Sequence, residues 1–267
     1  MLFDLKGRRK RFIQATYLIL AILFGGGLVL FGVGSSVQGG LLDAISGDGS
    51  GGSNTSTFED QVRKAQAAAL RNPKDERAQV ALARAEYNLA TGGDDFDRTT
   101  GQFKKGAADE LRRSVAAWER YLALKPKKPD TGAAALMVQA YAGLVGLGSG
   151  GAPLDLFERA AKTQLLIAEE RPSPIAYFQL AGIWYAIGEV AKGDRAGDKA
   201  IELTPRDQRN TVRAQIEEAR KDGVKTKQGL KKAEDRASKA AKDARKSGQD
   251  PFGAAPGASP IGGTTAP

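Results

Sequence analysis

The sequence predicts an all-α chain: one N-terminal transmembrane helix, a solenoid of about three helix-turn-helix units, and a charged helical tail that ends in a disordered segment. Three observations carry that expectation. Between Ser173 and Pro205, large and tiny residues recur at helical offsets in two segments divided by Gly188. Prolines at 73, 126, 172 and 205 each close a helix-like stretch, as expected of a residue without an amide donor. Phe12 to Val33 contains no charged residue.

The first element is that apolar run. At 1.5 Å per residue it matches a hydrocarbon core of about 30 Å and exceeds the apolar core of a cleavable signal. Lys6, Arg8, Arg9, Lys10 and Arg11 precede it, and the next basic residue is Arg63. The positive-inside rule therefore places residues 1–11 in the cytoplasm and everything after Val33 outside it, as a single-pass cell-membrane protein. Cleavage near Gly34-Ser35-Ser36 is the alternative, although no Ala-x-Ala site is present. Residues 34–57 are Gly/Ser-rich and read as a flexible tether.

The helical units are clearest at Ser173–Pro205. Tyr177, Leu180, Ala181 and Trp184 share one helix face, with tiny Ala181 admitting a neighbouring helix between larger flanks. Gly188 predicts a left-handed cap. Glu189 to Leu203 then forms the partner helix, with Ala200 inward and Thr204-Pro205 as its stop. Aromatic, two residues, Leu, small, two residues, aromatic, then a small residue and a closing proline: this resembles the tetratricopeptide repeat. Gly193 and Gly197 depart from the family, standing where Ala and a bulky residue are usual, so the second helix is expected to be the weak half.

Earlier stretches follow the same template over a domain expected at residues 58–222. Phe58 to Leu70 reads as a leading half-repeat. Asp75 to Ala90, with Leu82, Ala83, Glu86 and Tyr87 aligned, pairs with Gly106 to Leu124, which carries Ser114, Trp118 and Tyr121. An insertion, Thr91 to Lys105, separates them. The next unit starts at Thr131, with Met137, Val138, Gln139, Ala140 and Tyr141. It turns at Gly146–Gly151 and returns through Leu154 to Glu170. Asp207 to Lys221 reads as a capping helix that Gly223 breaks. Residues 223–248 form a Lys-rich helical extension whose stripe of Leu230 and alanines is too slight to hold it to the body, and residues 249–267 read as disordered.

The N-terminal end adds a second resemblance. Met1-Leu2-Phe3-Asp4-Leu5, the basic cluster, the Gly-rich span and Gly39-Gly40-Leu41-Leu42-Asp43-Ala44 look like the start of membrane-anchored actinobacterial tetratricopeptide proteins.

Composition narrows the chemistry. The 267 residues include no cysteine and no histidine and carry a net charge of +9. Disulfides, thiolate catalysis and zinc-thiolate sites are excluded, as are a histidine base and histidine metal ligands. The chain is read as non-catalytic and without a cofactor or metal. A Ser-Lys or carboxylate-pair envelope enzyme is the competing reading. Asp94, Asp95 and Asp97 have the residue type for calcium, but no Glu follows at the distance a calcium loop needs, so a solvated acidic turn is expected. Gly143 to Gly151 lacks the Gly-Lys-Ser/Thr of a phosphate loop and reads as an inter-helix turn.

The family resemblance implies a concave groove, lined by the first helices, that holds an extended peptide or a partner helix. It would put Arg84, Tyr87, Asn88, Gln139, Phe178 and Tyr185 at or near that groove, and the alternative is that Tyr87, Phe178 and Tyr185 pack within the stack. The expected role is an extracytoplasmic scaffold for a protein or peptide partner, in secretion or envelope assembly. A structural protein that binds wall polymer or anionic lipid through its Lys-rich tail is the alternative. Nucleic acid is not expected, because no aromatic side chains interleave the tail's lysines.

Overall fold

The computed structural model describes residues 55–149 and 151–246. The expected transmembrane helix, most of the tether and the 249–267 tail lie outside them. Among the described residues the protein is all-α, with eight helices: α1 (Thr55–Arg71), α2 (Glu76–Gly92), α3 (Ala108–Ala123), α4 (Thr131–Leu147), α5 (Pro153–Glu170), α6 (Pro174–Ile187), α7 (Val190–Leu203) and α8 (Arg209–Lys246). None of these is long and apolar enough to cross a membrane.

Each helix start and stop has a local cause. The Asp75, Asp130 and Ser173 side chains cap α2, α4 and α6 by accepting from the amides of Arg77, Ala133 and Ala176. These are the bonds that satisfy otherwise orphaned first-turn donors. Pro174 follows its cap at the first helical turn, where its missing amide costs nothing. Gly188 ends α6 at φ 80°, and Gly148 ends α4 at φ 63°. Both are left-handed caps.

Successive helices pack on one another along the chain, and α8 lies against α6 and α7. Cross-links between α2 and α3 run in opposite senses: Arg120 Nε donates to Gln79 Oε1, Ser114 Oγ to the Ala83 carbonyl, and Arg113 Nε to Glu86 Oε2. The pair is therefore antiparallel. Ala83, Ala140, Ala160, Ala181 and Ala200 are all buried, as the small-residue pattern requires. Among the described residues Trp118 is the largest fully buried side chain. It donates to Thr163 Oγ1 at 3.2 Å and stacks on Tyr121 at 5.0 Å.

Three features differ from expectation. Helix α1 starts at Thr55, inside the predicted tether. The 91–105 insertion folds as a small hairpin, β1 (Phe96–Asp97) against β2 (Gln102–Phe103), with Phe96 opposite Phe103. Phe103 then packs edge-on to Tyr87 and over Gly143, where an added Cβ would lie 2.6 Å from the Phe103 ring.

The third difference is the largest. Gly223 does not break the C-terminal helix: α8 runs unbroken from Arg209 to Lys246, across the expected domain boundary. The extension is also held further than expected: Thr226 and Leu230 are buried, as are Val212, Ile216 and Ala219 of the capping stretch before it. The physical reason lies at Tyr185. A Cβ on Gly223 would meet the Tyr185 carbonyl carbon at 2.6 Å and its oxygen at 2.7 Å, so glycine is what lets α8 cross α6 this closely. Close packing outweighs weak helix propensity here.

Candidate partner-binding surface

Arg84, Tyr87 and Asn88 follow one another at helical spacing on α2, and Gln139 faces them from α4. Tyr87 is buried to its hydroxyl, which donates to Gln139 Oε1 at 2.7 Å. Burial drives its phenol well above the ordinary tyrosine range, so it stays protonated and a donor. Arg84 reaches Asp130 at 2.7 Å, tying α2 to the start of α4. Burial alone would raise the Asp130 carboxyl. The Ala133 amide, the Arg84 guanidinium and the Gly132 amide outweigh burial and hold it below the usual carboxylate range.

Arg84, Asn88 and Gln139 are half-buried and keep surface of their own. Phe178 and Tyr185 do not: at 5% and 1% exposure both belong to the core. The structure thus brings Arg84, Tyr87, Asn88 and Gln139 together and assigns the other two predicted groove residues to packing. Tyr185 sits in a cradle of glycines. Added Cβ atoms on Gly193 and Gly197 would come within 2.9 Å of the Tyr185 ring and of Ile216. The two departures from the repeat pattern are therefore space for Tyr185 and α8.

The Tyr185 hydroxyl donates to Asp194 Oδ1 at 2.9 Å, and Arg220 of α8 pairs with the same carboxylate at 3.2 Å. Tyr185→Phe removes one partner of this link, so a loss of about 1 kcal/mol is expected in urea denaturation.

Sequence reasoning underrated Glu86. It is 2% exposed, paired at 2.9 Å with Arg113, which also bonds Glu110 at 3.0 Å. Burial raises its carboxyl above the ordinary range despite Arg113. Its only advance signal was a charged residue at an inward-facing position of the repeat pattern. Because the folded form holds this proton more tightly than the unfolded chain, the group's stabilisation is complete below the unfolded pKa and falls away as pH rises through the folded pKa. Glu86→Gln should therefore gain on the wild type as pH increases from 4.5 upward, read as the difference between their urea midpoints.

The acidic loop carries structural duties. Asp97 Oδ1 accepts from the amides of Thr99 and Thr100, and bonds from Thr100 hold its carboxyl below the ordinary range. The Asp94 and Asp95 carbonyls accept from the Lys104 ammonium and amide. Among the described residues, no three metal-ligating side chains of the His, Cys, Asp and Glu types gather. Gly148 and Ser149 in the 143–151 turn close α4 by bonding back to Val145 and Leu144.

In comparisons with protein-family models, curated proteins and solved structures, nothing matches this chain.

Proposed function

We propose that this chain is a single-pass, membrane-anchored scaffold of tetratricopeptide type whose soluble part lies outside the cytoplasm and captures a protein or peptide partner. It acts without catalysis or a cofactor. The observation that carries the reading is the packing of α2 with α3, α4 with α5 and α6 with α7, with Ala83, Ala140, Ala160, Ala181 and Ala200 of these helices buried. Neighbouring first helices α2 and α4 then present Arg84, Asn88 and Gln139 beside the buried Tyr87. This mix of a cation, two amides and an apolar floor suits an extended peptide, whose carbonyls and amides need partners. Tethering raises the local concentration of membrane-bound partners, which favours capture even by a weak site.

The absence of cysteine makes the orientation directly testable. Asn88→Cys in the full-length chain provides one thiol, and a membrane-impermeant maleimide applied to intact cells is expected to label it. Labelling only after lysis would contradict the proposed topology.

Arg84 also contributes to the fold through Asp130. Removing the cap with Asp130→Ala should cost about 1 kcal/mol and release Arg84, measurable by thermal unfolding.

A further inference from the structure

The charge of the chain is concentrated on α8. Residues 55–219 hold 24 Lys/Arg and 23 Asp/Glu, whereas residues 220–246 hold eleven against four, a net +7. The structure shows how that charge is carried. Because α8 passes Gly223 unbroken and stays docked through Thr226 and Leu230, the basic segment continues a fixed element of the fold. It runs for about 40 Å.

The buried stripe faces α6 and α7; Lys227 reaches back over the Gly188 cap of α6, and Lys225, Lys231 and Lys232 lie away from the stripe. Lys225, Lys227, Lys231 and Lys232 are exposed. In sequence, α8 continues with five more cations, Arg236, Lys239, Lys242, Arg245 and Lys246.

We infer that this C-terminal half of α8 is a docking element for an anionic phospholipid surface. An unbroken helix that carries a net +7 over residues 220–246 meets an array of headgroup charges along its length. Each Lys or Arg near such a surface contributes on the order of 1 kcal/mol at ordinary ionic strength. Beyond Leu230 the apolar stripe is alanine only, so the arm lies on the headgroups without burying an apolar face among the acyl chains. Nucleic acid is disfavoured because no aromatic residue occurs between Tyr185 and Phe252 on which a base could stack.

The test uses the full chain with Gln228→Cys as its single thiol, labelled with a donor fluorophore. The acceptor is a headgroup-labelled lipid in vesicles of phosphatidylcholine, with or without about a third phosphatidylglycerol. An excess of energy transfer over the level set by the membrane anchor is expected only with phosphatidylglycerol and should vanish in high salt. It should weaken on the order of tenfold or more when Lys231, Lys232, Arg236 and Lys239 become Glu, and less when they become Gln. Circular dichroism of both variants confirms that α8 remains folded. Equal transfer in both vesicle types, or transfer unaffected by charge reversal, overturns the assignment. So does binding of inorganic polyphosphate without any response to anionic vesicles, which makes the ligand a soluble polyanion.

Discussion

Gly223→Ala is expected to destabilise the protein by about 3 kcal/mol, although helix propensity taken alone predicts a gain of roughly 1 kcal/mol. The opposing signs make the substitution informative. In an exposed helix the methyl group would reduce backbone entropy in the unfolded chain and favour folding. Here it would enter the space occupied by the Tyr185 main chain, at 2.6 Å from its carbonyl carbon. A backbone wall cannot rotate away as a side chain can, so α8 must lift from α6. Lifting it would expose Val212, Ile216 and Leu230 and separate Arg220 from Asp194. Chemical denaturation of wild type and variant checks the sign, and increased protease sensitivity near Val224 would locate the change in α8.

Trp118→Ala is expected to cost about 3–5 kcal/mol, enough to leave the soluble part marginal. Trp118 is completely buried on α3, meets Tyr121 on its own helix and reaches Thr163 on α5. Truncation leaves a ring-sized cavity and an unpaired Thr163 hydroxyl at once. Trp118→Phe retains most of the volume and loses the indole donor, so it should fall between the two. Urea midpoints in the order wild type, Phe, Ala would verify the ranking.

These two positions show what was legible in the sequence. The contribution of Trp118 is local: an aromatic one turn from Ser114 and Tyr121 marks an inward face without knowledge of the partner. The same reasoning located the small residues and the left-handed cap at Gly188. Gly223 was misread because its role is set by Tyr185, 38 positions earlier, and no local pattern distinguishes a helix-breaking glycine from one at a crossing. Tyr185 stayed open between groove and core for the converse reason. At a first-helix position it is equally compatible with groove or core, and only Gly193, Gly197 and Gly223 together decide for the core. The hairpin at Phe96–Phe103 is short enough that its strands left no alternating pattern to read.

The candidate site shows the same division. Arg84, Tyr87 and Asn88 were placed at the groove by the resemblance to the repeat family. The Tyr87–Gln139 bond joins residues 52 positions apart and emerged only when α2 and α4 were brought together.

The most direct test of the scaffold reading is photocrosslinking from α2 in the native cells. A photoreactive amino acid replaces Asn88 in the full-length protein, and a matched control replaces Leu70, which is 73% exposed at the end of α1. The proposal predicts one discrete protein captured from position 88, absent from position 70, and lost when Gln139→Ala is added while thermal stability is retained. Equal capture from both positions, or capture at 88 indifferent to Gln139, would contradict the claim that the α2–α4 face is the working surface.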